Sequence, residues 1–552
     1  MQVMTMLFEN DVFDLASLVG EVAHEEPERV AIIEPSGRDG QGRRTYARFT
    51  YKTLSEDAES VAVGLRELGI AEKTRTVFMA PPSYEACVVY VALTRVGATV
   101  IMIDPAVGLR NVGERLRRLQ PTAFVGVGLA HVARLIFGWG PRFLKKSIVV
   151  GPGPGFPGAR TVASLRRARP ERPQLASVGP DDPMTVLYTT GSTGPAKPAL
   201  YTHRNFCGVL RIAHQSWGFA GREGLPVDMA VFPAFFMIGL SAKGTVVVPP
   251  IQFVREPPAK TDPAPLVEVI NDCQVRSLFA SPIILENMAR HAEGNALTMP
   301  SLEVIIGGGA PITGPVMGAL TRVMPNGEVF ANYGATEALP STAHSARETL
   351  AETWEKTECG HGICVGRPFE GVELRVVAIA DGSAEEAQDV PPGEIGEVLV
   401  KSPHISARYM DDPESTHKNK IGPWHRLGDA GYLDGQGRLW VVGRVGHRVR
   451  GEQGPLFPLL CEPIFNAEPR VKRCGLVGVP GLTHDQPVLC VEAHPGADHS
   501  ELRQTLLQLA SDHEVSREIR DVLFIDRLPV DPRHNSKIDR PKLGRWAARR
   551  LR

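Results

Sequence analysis

The residues whose types and spacing could do chemistry are densest in Thr189-Thr190-Gly191-Ser192-Thr193-Gly194-Pro195-Ala196-Lys197, with Thr202-His203 shortly after. Met184 to Tyr188 is apolar and β-branched, so the loop is expected to leave the end of a buried strand. Such a loop turns backbone N–H groups, several hydroxyls and the Lys197 ammonium toward one point, which describes a polyphosphate cradle. It is not a Walker A loop. That motif needs Gly before the Lys, Ser or Thr after it, and a helix opening there. Here Lys197 stands between Ala196 and Pro198, and Ala199 to Thr202 reads as another strand. Taken alone, the same composition also describes an ordinary turn.

Further segments follow in order: Gly307-Gly308-Gly309-Ala310-Pro311, Tyr333-Gly334-Ala335-Thr336-Glu337, Gly428-Asp429, Gly443-Arg444, and Leu528 to Arg540 with Lys537 inside it. With the loop, they resemble the ordered motifs of the ANL adenylate-forming superfamily, which includes acyl-CoA synthetases, peptide-synthetase adenylation domains and luciferases. The resemblance covers the chain from about Tyr51 to Leu543. It implies ATP and Mg²⁺ as cofactors, with Thr189, Thr190, Gly191, Ser192, Thr193, Gly194 and Lys197 around the phosphates. Gly308, Gly309, Ala310, Pro311, Asn332, Tyr333 and Gly334 would line adenine, with the Tyr333 ring stacked on it. Thr336 would bond near the α-phosphate, Glu337 would hold the metal, Asp429 the ribose hydroxyls, and Arg444 would face the nucleotide.

The residue types suit these roles. Adenine offers a π-face, a hard cation prefers carboxylate oxygen, and one carboxylate accepts from two hydroxyls. Lys537 would act as a catalytic cation as a carboxylate attacks the α-phosphate, which is electrostatic catalysis. His203, directly after the loop's second strand, is a further catalytic candidate. Many family members carry an amide two residues before the Tyr; here Ala331 stands there and Asn332 is adjacent.

What attacks the acyl adenylate next is read from the C-terminal departures. Gly446-His447-Arg448-Val449, Cys461-Glu462-Pro463 and Arg533-His534-Asn535-Ser536-Lys537 are unlike a standard CoA ligase. They resemble the β-lactone synthetases of bacterial long-chain olefin biosynthesis. That implies a 2-alkyl-3-hydroxy fatty acid as the lipid substrate, cyclised through its own 3-hydroxyl without CoA, in a setting compatible with assembly with enzymes of the same pathway. The alternative is a long-chain acyl-CoA or acyl-carrier synthetase. His203, His447 and His534 are candidates for a base by motif position. Phe232 to Leu240, with Phe235, Phe236 and Gly239, is a candidate wall for the acyl pocket.

These residues need elements to position them. Strands alternate with helices through Thr76–Ile103, Asn111–Val127 and Asn205–Ile306, which predicts layered α/β sheets with largely parallel strands. From Cys364 the strands shorten between glycine turns, with a hairpin at Asp434-Gly-Gln-Gly437, and a small β-barrel-like subdomain is expected. Residues 1–443 are expected to form the large adenylate-forming domain. Residues 444–552 would form a small, mobile α+β lid carrying Lys537, ending in a basic helix around Trp546.

The 552 residues are enough for several cores. The formal charge of −1 gives no bulk case for nucleic acid as a partner. Eight scattered cysteines without a C-x-x-C pair fit a reducing cytoplasm, and Cys359, His361 and Cys364 are a weak metal signal. The opening residues lack a signal-peptide pattern, and the longest apolar stretches are broken by Arg95, Lys243 and prolines, so no transmembrane helix is expected.

Overall fold

The computed structural model describes residues 11–103, 109–140, 142–153, 155–166, 176–189, 196–216, 224, 226–232, 235–253, 258–379, 388–530 and 537–551. Two large sheets and two small ones organise them. In the first large sheet, strands Thr99–Met102, Arg75–Met79, Ala123–Val127 and Lys146–Val150 run parallel. Pro183–Tyr188 adds to this set in parallel and turns back antiparallel as Pro198–Thr202. Parallel strands must be covered on both faces, and the sequence complies: helix Tyr84–Arg95 is buried at almost every position. The Ser83 side chain caps that helix by accepting from the Ala86 N–H.

The second sheet runs parallel through Ser277–Ala280, Val304–Gly307 and Glu328–Ala335, then turns antiparallel at Ala338–Ser345. Its antiparallel end holds the short strands after residue 363, among them Trp424–Leu433 and Leu439–Arg444. The predicted Asp434 turn is present, with the Gly437 N–H donating to the Asp434 carbonyl at 2.9 Å.

A separate three-stranded sheet, Val471–Pro480, Asp485–Ala493 and Asp521–Phe524, carries helices Pro458–Asn466, His499–Asp512 and Arg540–Arg550. Its core continues across Arg444: Ala430 and Val442 pack in one cluster with Phe457, Leu460 and Phe465. Trp546 is packed rather than frayed, with Arg550 over its ring at 5.5 Å and the neighbouring Leu543 and Ala547 buried.

Boundaries moved where capping overrides propensity. Phe49-Thr-Tyr51 reads as a strand, yet the Thr50 side chain accepts from the Thr53 N–H, so Tyr51 opens helix Tyr51–Glu67. Helix Gly128–Ile136 and strand Ala338–Ser345 are additional to the elements read from sequence. All eight cysteines are free. Among the described residues, no helix is long and apolar enough to cross a membrane.

Candidate active site

The strand pair Pro183–Tyr188 and Pro198–Thr202 flanks the 189–197 segment, whose two ends are bonded to each other. The Thr189 N–H donates to the Lys197 carbonyl at 3.0 Å, and the Lys197 N–H donates to Thr189 Oγ1 at 2.9 Å. Thr190, Gly191, Ser192, Thr193 and Gly194 lie outside the described residues. Lys197 Nζ stands over the Tyr409 ring, 5.2 Å from its centroid. Burial pulls this ammonium below the usual lysine range, and the Glu337 carboxylate pulls it back up.

Glu337 and Thr336 form the tight turn between Glu328–Ala335 and Ala338–Ser345, where Ala335 pairs with Ala338. Two tyrosines of the first sheet clamp that turn. The Tyr201 hydroxyl donates to the Thr336 carbonyl at 2.6 Å, and the Tyr409 hydroxyl donates to Glu337 Oε1. The buried Glu337 acts electrostatically on two lysines, Lys197 and Lys420. Lys420 Nζ donates to the Ser406 carbonyl, and burial lowers its pKa to about 8 against the pull of Glu337. His425, buried beside both lysines, is held neutral. Tyr409, Lys420 and His425 escaped the sequence reading: the pairing of Arg408–Tyr409 with Leu200 and Ala199 brings Tyr409 here, while Lys420 and His425 pair with each other at the edge of the other large sheet.

Asp429 and Arg444 face each other across strands Trp424–Leu433 and Leu439–Arg444. Arg444 Nη1 donates to Asp429 Oδ1 at 2.8 Å, and the Tyr333 hydroxyl donates to Oδ2 at 2.7 Å. A carboxylate offers about four lone-pair sites, so capacity for two ribose hydroxyls remains. Two buried atoms here lack a partner among the described residues, Arg444 Nε and Asn332 Oδ1. An unpaired buried donor and acceptor fit a ligand such as a nucleotide, whose edges carry both kinds of group.

Asn332 Nδ2 donates to Ser216 Oγ at 2.6 Å. A Cβ added at Gly308 would lie 3.4 Å from the Phe279 ring and 3.9 Å from the Asn332 carbonyl, and Gly309 takes φ +92°, open to glycine at little cost. Ala310 is half-buried and Pro311 exposed at the mouth of this glycine turn. Gly334 could not carry a side chain, since a Cβ would meet the Ala338 carbonyl at 2.3 Å.

Ile538, next to Lys537, packs on the core of the C-terminal sheet. His534 lies outside the described residues, while Lys537 is half-buried just before Ile538, which bridges Val530. Arg540, three residues on, is locked to Glu462 of the Cys461-Glu462-Pro463 segment: Nη2 donates to Oε2 at 2.9 Å, and Nη1 to Oε1 and to the Leu476 carbonyl. The charges of Arg540, Arg444, Asp429 and Asp539 all act on His447, which therefore lies within electrostatic range of both ion pairs. Burial pushes His447 down to about 4, leaving it neutral at pH 7.

His203 opens helix His203–Ser216 at the far end of strand Pro198–Thr202 from Lys197, about 20 Å away at ~3.3 Å per residue. Its Nδ1 donates to the Phe13 carbonyl at 3.1 Å, and burial holds the ring neutral. Phe235 lines a narrow apolar cavity with Tyr90, Leu187, Tyr201, Phe206 and Leu339, holding about 20 Å³ of free space. Phe236 packs in the core instead, and Gly239 abuts Asp228, whose Cβ would lie 2.8 Å from an added Cβ.

What this arrangement gathers is charge and hydrogen-bonding capacity suited to a nucleotide, on an α/β fold of adenylate-forming ligases, and the chain is of that class. Its residues 19–410 match the family described as AMP-binding enzyme, and the chain belongs to that family. It is 35% identical over 98% of its length to an olefin beta-lactone synthetase of Stenotrophomonas maltophilia, covering 98% of that protein. To the protein of the same name from Xanthomonas campestris pv. campestris it is 34% identical, with 97% of each chain covered. The fold also matches solved structures. An amide bond synthetase from Marinactinospora thermotolerans superposes with a TM-score of 0.79 at 21% identity, covering 97% of this chain and 99% of that one. An anthranilate CoA ligase bound to anthranoyl-AMP gives 0.80 at 19% identity, with 98% of each chain covered.

Proposed function

We propose that this chain is an ATP-dependent β-lactone synthetase acting on a 2-alkyl-3-hydroxy fatty acid. The observation that carries the reading is the 35% identity to an olefin beta-lactone synthetase along 98% of both chains, which includes the C-terminal segments that differ from CoA ligases. In the first step the substrate carboxylate oxygen attacks the α-phosphorus of ATP and pyrophosphate leaves. Lys197, Lys420 and Lys537 offset negative charge there, while Asp429, Arg444, Tyr333 and Asn332 hold the nucleoside. Glu337 would hold Mg²⁺, since Tyr409 takes one of its lone pairs and leaves others; the cation would neutralise triphosphate charge.

In the second step the 3-hydroxyl oxygen attacks the acyl carbon, its proton is lost and AMP departs. Tethering the nucleophile in the bound molecule offsets the strain of the four-membered ring by removing a second encounter. Two acyl arms need more room than the cavity offers, so their binding requires Phe206 and Phe235 to turn outward. Residues 444–552 act as the lid that brings Lys537 over the α-phosphate, and the reaction is assigned to the cytoplasm.

The test is product analysis by mass spectrometry and NMR with this acid, ATP and Mg²⁺, with and without CoA. A lactone and AMP formed equally without CoA are expected. A thioester appearing only with CoA overturns the reading in favour of an acyl-CoA ligase.

A further inference from the structure

A formal charge of −1 conceals a strongly one-sided segment. Between Glu114 and Glu171 the sequence contains 11 Lys and Arg and no Asp or Glu. Within it, helix Gly128–Ile136 turns Ala130 and His131 inward and leaves Leu129 58%, Leu135 65% and Ile136 72% exposed. Val132 stands with Leu129 and Ile136 at the i, i+3, i+7 spacing of one helix face, and the partly exposed Phe137 follows at the helix end. No other cluster of exposed large apolar side chains occurs among the described residues.

Arg115 lies over the Tyr188 ring at 5.2 Å, Arg167 and Arg169 lie outside the described residues, and the other eight cations divide into two sets. Arg118 is paired with Asp412, Arg134 with Ser147 Oγ, Arg166 with Asp57, and Lys146 with the Gly69 carbonyl. Arg117, Arg142, Lys145 and Arg160 are exposed and make no ion pair with a described residue. Arg142 and Lys145 follow the helix directly. Helix Leu109–Leu119, which carries Arg117, lies beside the helix's exit, since a Cβ at Gly113 would touch Trp139 at 3.2 Å. Glu114 is the exposed acid nearest to this group in sequence.

We propose that this face docks on an anionic phospholipid surface, with the aliphatic side chains entering the headgroup boundary and the free cations meeting lipid phosphates. A protein partner is the weaker fit. A stable interface covers about 800 Å² per partner, whereas nine helical residues present a convex strip only ~13 Å long. Immersing a few aliphatic side chains among basic residues is instead what an interfacial helix needs. The surface is independent of the reaction assigned above, and its test reads no turnover.

The full chain is floated with vesicles of about 30% phosphatidylglycerol in phosphatidylcholine, and with phosphatidylcholine alone. The protein is expected to float with the anionic vesicles and to be released by high salt. Leu135→Glu/Ile136→Glu is expected to lower the partition coefficient about tenfold or more. Circular dichroism checks that this variant is folded, and Arg142→Glu/Lys145→Glu repeats the test without touching the apolar strip. Absence of flotation, flotation of both variants equal to wild type, or self-association lost in the variants without vesicle binding each overturns the proposal.

Discussion

Two carboxylate–arginine pairs in this molecule use the same residue types and differ in what they leave open. In Asp429–Arg444 the carboxylate accepts one bond from Arg444 and one from Tyr333, while Arg444 Nε stays buried without a partner among the described residues. In Glu462–Arg540 the fork is filled: two guanidinium nitrogens meet the two carboxylate oxygens, the Leu476 N–H donates to Glu462 at 2.7 Å, and Arg540 also bonds the Leu476 carbonyl. A pair with spare capacity is equipped to receive a ligand. A closed pair ties helix Pro458–Asn466, strand Val471–Pro480 and the start of helix Arg540–Arg550 into one piece, and so positions Lys537, three residues before Arg540.

The largest effect expected from breaking this division is at the lysine the closed pair positions. Lys537→Ala should lower the rate of acyl-adenylate formation about 10²- to 10³-fold, the range for losing one preorganised charge in a dry site. Its melting temperature should stay near wild type, and near-normal adenylation would sink the assignment. Glu462→Ala strands Arg540 as an uncompensated buried charge, which costs about 3–5 kcal/mol of stability in a denaturant titration. It should also lower kcat while leaving the KM for ATP close to unchanged. Asp429→Asn should do the reverse, raising the KM for ATP about tenfold, by the loss of charge-assisted bonds, with little change in stability. If the two variants behaved alike, the distinction between an open and a closed pair would be wrong.

How much of this was legible beforehand follows the same physical line. The 189–197 loop, the Tyr333–Glu337 turn and the parallel α/β elements are local patterns, and strand Ala123–Val127 appears at the residues expected. Helix Gly128–Ile136 was missed because it begins on glycine with no side-chain cap and turns aliphatic residues to solvent, the opposite of the usual amphipathic cue. The Cys461-Glu462-Pro463 segment was visible as a departure, but its role depends on Arg540, 78 residues away in sequence. Tyr409, meeting Glu337 across 72 residues, left no local trace for the same reason. Sequence spacing reports neighbours along an element, whereas these contacts are set by the register of distant strands.

The smallest effect concerns Lys420, the cation that shares Glu337 with Lys197. With its pKa lowered to about 8 by burial, it is mostly charged at pH 7 and mostly neutral by about pH 9. Two consequences run in opposite directions. Catalytic efficiency for ATP, which reports the free enzyme, should fall about threefold as pH rises through 8 and then level off once this charge is lost beside the phosphates. Stability should move the other way. A lysine whose folded pKa lies below its unfolded value penalises the fold while charged, so the penalty is full below about pH 8 and is relieved as pH rises toward the ordinary lysine range. Lys420→Met should remove the alkaline fall in efficiency, cost about threefold at pH 7 as one of several cations, and flatten the stability gain above pH 8. An unchanged pH profile in this variant would move the alkaline limb to Lys197, the other buried ammonium beside Glu337, whose pKa is lowered by the same cause.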